Sequence, residues 1–274
     1  MRIPIFAAAS FVLLAAIAHA EGTKSTPFLH NGVTAHRGDS GNFPENTMAA
    51  IESALKLGVD WIEIDVFETA DGHLVVTHDA TTKRVAERDL VVAESTLAEL
   101  QALDVATGFR TERNLDTKAC PPAVMPTLRA VLERILQQRK TRLSIQPKAD
   151  VVDGSIALVR ELKAESWVGF NDGDLNKMRR VKELAPEIHV FWDRFKESPL
   201  EDEIATAKAL GFESLVPHVQ ALTSERVKLM QKAGFEVGAW TVNDAKTMAY
   251  LLDMGVDRTY TDYPRRLFAV KAGR

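Results

Sequence analysis

Along this chain, stretches with the helical spacing of apolar residues alternate with short apolar runs that are typical of strands. Four segments each combine an amphipathic helical stretch, a glycine and a short apolar run: residues 49–66 with Gly58, 204–217 with Gly211, 227–240 with Gly234 and 245–261 with Gly255. A glycine suits the end of a helix because it adopts the left-handed conformation without a Cβ clash. Strands that alternate with helices in this way predict βαβ units and a parallel sheet.

The clearest helical period follows Pro126. Apolar residues then recur at the spacing i, i+3, i+4, i+7 and i+8, namely at Leu128, Val131, Leu132, Ile135 and Leu136. This spacing predicts a helix with one apolar face against a sheet, and proline favours a place in its first turn.

The apolar runs predict nine strands: Val33–His36, Trp61–Val66, Leu74–His78, Arg142–Pro147, Trp167–Phe170, His189–Trp192, Ser214–His218, Val237–Val242 and Arg258–Thr261. The link between the second and third is too short for a crossover helix, which needs about a dozen residues. These two strands are therefore predicted to form an antiparallel hairpin around Asp71-Gly72. A turn centred on that dipeptide would place His78 opposite Asp65.

Eight parallel strands then remain. Eight β/α repeats in a domain of about 250 residues predict a (β/α)8 TIM barrel, with the hairpin after its second strand. An open, doubly wound sheet is the alternative. It should carry a glycine-rich phosphate loop after its first strand, and residues 36–41 lack the spacing of a dinucleotide-binding fingerprint.

The first twenty residues have the pattern of a signal peptide. Arg2 is followed by the apolar stretch Ile5–Ile17 and by the small-residue motif Ala18-His19-Ala20. A membrane anchor is the alternative, but the stretch is shorter than the ~20 residues of a spanning helix, and no cysteine follows to take a lipid. We therefore predict cleavage near Ala20, export to the periplasm or medium, and no stable membrane anchor. Residues 21–274 are predicted to form one domain, with an insertion at 80–125.

The charge and the cysteine content of the chain argue against several classes of function. Lys and Arg total 34 and Asp and Glu 38, so the net charge of −4 offers no cationic surface for nucleic acid. The single cysteine, Cys120, excludes an intramolecular disulfide and a multi-cysteine metal centre. We therefore do not expect nucleic-acid binding or redox chemistry.

Polar residues at the carboxyl ends of the predicted strands indicate where the chemistry lies, because those ends face the active site in a barrel. Glu63 and Asp65 are two residues apart and so point to the same side of their strand, while Ile62 and Ile64 face the helices. Two inward carboxylates repel each other unless a cation lies between them, which indicates one Mg²⁺ or Ca²⁺. The alternative is a surface strand with two solvated acids, which the flanking apolar alternation disfavours.

Histidines and cations end the neighbouring strands. His36 and His78 suit an acid and a base, since imidazole titrates near neutral pH. Gln146 and Lys148 share one face of the fourth strand. Lys148 and Arg37 together indicate an anion, most simply a phosphate held against a metal; the alternative is an ion pair with Glu63 or Asp65.

Three further positions carry weaker signals. Asn42 and Glu45 are three apart and predict a capping box at the start of the helix with Met48, which we prefer to a catalytic role for Glu45. Asp193 and His218 follow later strands and could support the site, although no pattern assigns them a role.

Several segments together resemble the glycerophosphodiester phosphodiesterase family, in order from about residue 33 to 265. They are His36-Arg37-Gly38, Pro44-Glu45-Asn46-Thr47, Glu63-Ile64-Asp65-Val66, the run from Thr69 to Asp79, Trp240-Thr241-Val242-Asn243 and Thr261-Asp262-Tyr263-Pro264. The resemblance implies a phospholipase-C-like barrel that hydrolyses glycerophosphodiesters to glycerol 3-phosphate and an alcohol with a divalent cation.

The resemblance also implies roles. Glu63 and Asp65 would be metal ligands, His36 and His78 the acid/base pair, Arg37 and Lys148 phosphate contacts, and Trp240 a wall of the substrate pocket. The family usually has a third acidic ligand where this chain has Gln146. Glutamine still offers a carbonyl oxygen to a hard cation, but the site has one negative charge fewer.

Two other functions remain open at this stage. One is a barrel phosphodiesterase that cleaves intact phospholipid and forms a cyclic phosphate. The other is a non-catalytic phosphodiester-binding protein, which Gln146 favours and the two histidines disfavour.

Overall fold

The computed structural model describes residues 29–195 and 199–274, so the predicted signal peptide at 1–20 lies outside the described residues. The strands in chain order are β1 Val33–His36, β2 Trp61–Glu68, β3 Leu74–Val76, β4 Arg142–Pro147, β5 Val168–Asp172, β6 His189–Arg194, β7 Ser214–Pro217, β8 Glu236–Ala239 and β9 Arg258–Thr261. The helices are α1 Met48–Leu57, α2 Leu97–Gln101, α3 Thr107–Arg113, α4 Leu128–Leu136, α5 Val152–Glu161, α6 Leu175–Leu184, α7 Leu200–Leu210, α8 Ser224–Lys232, α9 Ala245–Asp253 and α10 Pro264–Ala272.

The sheet is a closed barrel. Its strand order is β1-β9-β8-β7-β6-β5-β4-β2-β3, and β1 also pairs with β2, which closes the ring. All pairings are parallel except β2 with β3. The predicted (β/α)8 TIM barrel with a hairpin after its second strand is therefore confirmed.

The period of two along β2 separates the outside of the barrel from its inside. Ile62, Ile64 and Val66 are fully buried in the large apolar core between strands and helices. Glu63 and Asp65 point the other way, with Glu63 level with His36 on β1 and Asp65 level with Gln146 on β4. The register thus brings the predicted site residues of three strands together.

The helices end and begin as simple backbone rules require. Helix α1 ends at Gly58, whose φ of 72° closes the last turn onto the Leu55 carbonyl. Helix α4 begins at Leu128 with Thr127 as its N-cap, so Pro126 lies before the helix and not in its first turn as predicted. The Pro126 carbonyl instead accepts a hydrogen bond from Val76 of the hairpin.

A second apolar cluster inside the barrel is formed by Trp61, Phe191, Val216 and Tyr260. The rings of Trp61 and Phe191 meet edge to face with centroids 4.9 Å apart. Gly169 leaves room for them, because a Cβ there would lie 2.8 Å from the Phe191 ring. This packed layer closes the barrel below the site.

The hairpin register differs from the predicted one. Val66 pairs with Val76 and Glu68 with Leu74, so the connection spans five residues and not a two-residue turn. The Thr69 N–H donates to the His73 carbonyl and closes that loop. Asp65 consequently faces Thr77, whose N–H donates to the Asp65 carbonyl, and the predicted pairing of His78 with Asp65 is wrong.

The segment 80–125 joins β3 to α4 and carries α2 and α3. Its apolar residues form a small cluster of their own with the hairpin, made of Val75, Val92, Leu100, Val105 and Met125. None of the helices in the described ranges is both long and apolar enough to span a bilayer.

A buried ion pair in the barrel interior yields a test of stability. Arg258 and Glu236 are 0% and 2% exposed and pair with each other. Glu236→Ala removes the carboxylate that pairs with this buried guanidinium, so we expect a loss of about 3–5 kcal/mol in the free energy of unfolding. Urea denaturation measures the loss. Glu161→Ala, which removes the exposed partner of Arg129, serves as the control, and an equal effect of both variants would contradict the prediction.

Candidate active site

The carboxyl ends of the barrel strands surround a cavity of about 370 Å³. Seven of the eight predicted site residues line it: His36, Arg37, Glu63, His78, Gln146, Lys148 and Trp240. The eighth, Asp65, is fully buried directly behind this wall. The structure therefore brings the predicted residues together at one end of the barrel, as the strand pattern indicated.

Asp65 is the electrostatic centre of this wall. Its Oδ2 lies 3.3 Å from the Arg37 Nε and accepts a hydrogen bond from the Asn46 Nδ2 at 2.9 Å. Its Oδ1 lies 3.6 Å from the Lys148 Nζ. The ion pairs weighed for Arg37 and Lys148 are thus present, and both involve the same carboxylate.

The backbone of Arg37 also forms hydrogen bonds with residues of this wall. The Arg37 N–H donates to the Glu63 Oε2 at 3.0 Å, and the Arg37 carbonyl accepts from the Asn46 N–H. Arg37 and Asn46 have φ values of 55° and 56°, in the left-handed region that only the surrounding contacts stabilise for such residues. Asn46 therefore organises the loop that carries His36 and Arg37.

The carboxylates leave oxygen atoms available for a cation. Glu63 Oε1 and Asp65 Oδ1 are buried without a hydrogen-bond partner. Burial and the neighbouring charge of Asp65 raise the pKa of Glu63 to about 7. The positive charges near Glu63 therefore do not fully stabilise its ionised carboxylate.

The donor set around these atoms is small. Within residues 29–195 and 199–274, no group of three or more His, Cys, Asp or Glu side chains is arranged to hold a metal ion by itself. The set consists of Glu63, Asp65 and the amide of Gln146. Oxygen ligands alone, with two carboxylates among them, fit a hard cation such as Mg²⁺, which commonly takes one or two carboxylates and completes its shell with water and substrate phosphate.

His36 lies between two carboxylates. Its Nδ1 is 2.7 Å from the Asp262 Oδ1, and its Nε2 is 4.0 Å from the Glu63 Oε2. Burial alone would lower the pKa of His36, but the hydrogen bond with Asp262 and the charge of Glu63 outweigh it and raise the pKa above the ordinary value. Burial alone would raise the pKa of Asp262. The hydrogen bond with His36 and the charge of His36 lower it more strongly, so that the pKa of Asp262 falls to about 2.

His78 lies between a carboxylate and an ammonium. Its Nδ1 is 2.6 Å from the Asp79 Oδ1, and its Nε2 accepts from the Lys148 Nζ at 3.2 Å. Burial, together with the positive charges of Arg37 and Lys148, lowers the pKa of His78. The two histidines of the site therefore have opposite environments.

Gln146 lies between groups of opposite charge. Its Oε1 accepts from the Lys148 Nζ at 3.3 Å, and its Nε2 donates to the Asp193 Oδ2 at 3.4 Å. Asp193 lines the same cavity, and burial raises its pKa to about 8. The sequence left Asp193 without a role, and the structure places it at the cavity wall.

Trp240 closes one side of the cavity. Its Nε1 donates to the Val216 carbonyl at 2.8 Å, and its ring packs edge-on against Phe195 and His218. His218 itself caps a short turn by accepting from the Gln220 N–H, and it is absent from the residues that line the cavity.

Glu45 does not cap α1. The helix begins at Met48, and Thr47 is its N-cap, which accepts from the Ala50 N–H. The predicted capping box is therefore wrong, because Glu45 is engaged elsewhere. Its carboxylate receives two hydrogen bonds of 2.7 Å from Arg84 and one of 3.1 Å from Arg37.

Sequence reasoning gave no role to three residues at this site. Asp262 orients His36, Asp79 orients His78, and Arg84 joins Asp79 to Glu45 through its guanidinium. Asp79 directly follows His78 and Asp262 directly follows the last strand, so both belong to the quoted segments, but their pairing with the histidines depends on the fold. No pattern signalled Arg84, which lies in the 80–125 segment.

The chain matches a known protein family over most of its length. Residues 36–266 match the model of the glycerophosphoryl diester phosphodiesterase family. A glycerophosphodiester phosphodiesterase of Caldanaerobacter subterraneus subsp. tengcongensis is 32% identical over 241 residues, which cover 86% of this chain and 95% of that relative.

Solved structures show the same similarity. A phosphodiesterase of Oleispira antarctica, in complex with the product sn-glycerol-3-phosphate, superposes with a TM-score of 0.77 at 28% identity, covering 89% of this chain and 98% of that one. A glycerophosphodiester phosphodiesterase of Agrobacterium tumefaciens gives a TM-score of 0.75 at 25% identity, with 88% and 100% covered. The chain belongs to the glycerophosphoryl diester phosphodiesterase family and is an enzyme of that family.

Proposed function

We propose that this protein hydrolyses glycerophosphodiesters to sn-glycerol 3-phosphate and an alcohol, with one divalent cation and two histidines that transfer protons. The observation that carries the proposal is the pair of histidines with opposite environments, His36 between two carboxylates and His78 beside Lys148, on one cavity wall. The membership of the chain in its family and the product bound to the Oleispira antarctica relative support the choice of substrate.

The substrate phosphate would lie against the cationic side chains. Arg37 and Lys148 now share Asp65 as their partner, and both line the cavity, so their N–H groups can turn to phosphoryl oxygens. Glu63, Asp65 and Gln146 would hold the cation. When bound, the cation supplies positive charge that stabilises the transition state of phosphoryl transfer.

The surroundings of the two histidines support different roles for them in the proposed reaction. His78 donates Nδ1–H to Asp79 and keeps a lone pair on Nε2, so it would act as the base that takes the proton of the attacking hydroxyl, from water or from the glycerol of the substrate. Asp262 and Glu63 raise the pKa of His36 and so favour its imidazolium form, whose Nε2 would return a proton to the oxygen of the leaving alcohol. Such divergent pKa values are typical of an acid and a base in one site.

The neighbouring cleft favours a water-soluble substrate. This cleft has about 650 Å³ and shares His36 and Arg37 with the cavity. Charged side chains of Arg84, Glu112 and Arg113 line it, which suits the polar alcohol of a glycerophosphodiester better than the acyl chains of an intact phospholipid. The two oriented histidines argue against a protein that only binds a diester, because binding requires no proton transfer.

The first test is metal dependence. We expect mature protein with Mg²⁺ or Ca²⁺ to release glycerol 3-phosphate from glycerophosphocholine, and excess EDTA to abolish the release by removing charge stabilisation. One added divalent ion should restore it. An enzyme-coupled assay of glycerol 3-phosphate measures the rate, and full activity of EDTA-treated protein would contradict a metal-centred mechanism.

The second test concerns both histidines. His36→Ala and His78→Ala should each lower turnover by at least about 100-fold, which is typical of a positioned proton-transfer group. His73→Ala, at an exposed histidine outside the cavity, should retain the wild-type rate. A His36 or His78 variant with near wild-type turnover would remove that histidine from the mechanism.

The same roles predict a bell-shaped dependence of the wild-type rate on pH. Activity should fall as pH drops through the lowered pKa of His78, because the base becomes protonated. It should also fall as pH rises through the raised pKa of His36, because the acid loses its proton. The two limbs report apparent pKa values of the coupled site.

A third test measures the effect of Asp262 on His36 without using the catalytic rate. Asp262→Asn removes the carboxylate that stabilises the His36 imidazolium, so the pKa of His36 should fall. NMR titration of the imidazole protons, with chelator present, measures this change. Asp79→Asn should leave the pKa of His36 unaffected, and an unchanged His36 pKa in Asp262→Asn would mean that Asp262 does not set its charge.

A further inference from the structure

Arg84 is a cation of the 80–125 segment at the edge of the site, and the proposed chemistry does not yet use it. Its guanidinium forms three hydrogen bonds of 2.7 Å. The Nε donates to the Asp79 Oδ2, and the two terminal nitrogens donate to the two carboxylate oxygens of Glu45. Arg84 thus binds two carboxylates that lie 34 residues apart in the sequence, and one of them is the partner of His78.

Glu45 acts as the anchor of this arrangement. It receives both terminal nitrogens of Arg84, and such a bidentate contact fixes the orientation of a planar guanidinium. Glu45 also accepts a hydrogen bond from Arg37 at 3.1 Å, which ties it to the loop that follows β1. The Nε of Arg84 is thereby directed at Asp79.

The Asp79 carboxylate has a partner on each oxygen. Its Oδ1 is 2.6 Å from the His78 Nδ1, and its Oδ2 accepts from the Arg84 Nε. Burial would raise the pKa of Asp79, but the hydrogen bonds with His78 and Arg84 outweigh it and lower the pKa. The side chain of Asp79 is 36% exposed, so without Arg84 it could rotate towards water and leave His78.

The backbone that carries Arg84 is itself fixed. Thr82 is fully buried, and its carbonyl accepts from the N–H groups of Val85 and Ala86, which forms a tight turn around Arg84. Helix α3 packs directly on this turn, because the Gly108 N–H donates to the Val85 carbonyl and a Cβ at Gly108 would collide with the Arg84 carbonyl. The guanidinium therefore extends from a defined place.

We propose that Arg84 is a positioning residue of this site: anchored on Glu45, it holds Asp79 against the Nδ1 of His78 and so keeps the Nε2 of His78 available as the base. This inference rests on the proposed hydrolysis and deepens it. Arg84 acts through Asp79 and not on the substrate. The alternative is an ion pair that only ties the 80–125 segment to the barrel.

The rate of glycerophosphocholine hydrolysis by the full mature chain gives the first test. Arg84→Ala should lower kcat by roughly 10- to 100-fold, because a misplaced catalytic group loses much of its effect. Arg84→Lys keeps the charge but not the planar fork, so its kcat should stay at least about fivefold below wild type. Arg88→Ala is the matched control. Arg88 is exposed on the same segment and lies outside the residues that line the cavity and the cleft, so its variant should keep the wild-type rate.

A double variant distinguishes positioning from a stabilising tie. When Asp79 is already asparagine, Arg84→Ala should lower kcat by less than about twofold more, because residues that act through one contact are not additive. Losses that multiply, or a lysine variant at the wild-type rate, would overturn the positioning role. Thermal unfolding checks that each variant is folded.

NMR titration of the His78 imidazole, with chelator and without substrate, separates this inference from the proposed function. Burial lowers the pKa of His78, and the hydrogen bond with Asp79 opposes that effect. If Arg84 positions Asp79, Arg84→Ala releases this bond, and the pKa of His78 should fall by about 0.5 or more, as in Asp79→Asn. If Arg84 supplied only positive charge, its removal would raise the pKa.

The outcomes of the titration do not depend on turnover. A raised or unchanged pKa of His78 in Arg84→Ala would overturn the inference whether or not the wild type hydrolyses the diester. A lowered pKa together with an inactive wild type would overturn the proposed function and retain the role of Arg84 in orienting Asp79. A lowered pKa, the loss of kcat and its absence in the Asp79→Asn background support the inference.

Discussion

Carboxylates that point into a closed barrel cannot stay ionised without positive charge beside them, and this constraint arranges the whole site. Asp65 is fully buried, and both Arg37 and Lys148 turn towards it. Asn46 adds a hydrogen bond to the same carboxylate and fixes the loop that bears His36. A change at Asp65 would therefore disturb the cations and the loop together, because they have one partner in common.

The same electrostatics distinguishes two histidines that the sequence could not tell apart. Each follows or ends a strand, and each has an aspartate on its Nδ1. The difference lies on Nε2, which faces Glu63 in His36 and Lys148 in His78. The surroundings thus raise the pKa of one histidine and lower the pKa of the other.

The sequence correctly predicted features that depend on the local spacing of apolar residues. Its predictions were wrong where contacts with residues far away in the chain determine the structure. Alternation along β2 predicted which side chains point inward, because a strand has a period of two whatever it pairs with. The hairpin register was wrong by one residue, since it depends on how many residues Thr69 and His73 enclose. Glu45 satisfied the local pattern of a capping box, but its carboxylate instead accepts hydrogen bonds from Arg84, which lies 39 residues away in the sequence. Asp262 pairs with His36 across 226 residues, a contact that no local pattern shows.

In a closed barrel, side chains that are far apart in the sequence can face the same cavity. The strand ends converge on one cavity, so side chains from β2, β4 and β6 meet there although they are far apart in the chain. Gln146 on β4 and Asp193 on β6 are 47 residues apart in the sequence, and their side chains are in hydrogen-bond contact at the cavity wall. A motif read along one strand therefore does not give the electrostatics of the cavity, because the groups that face it come from several strands and interact with one another.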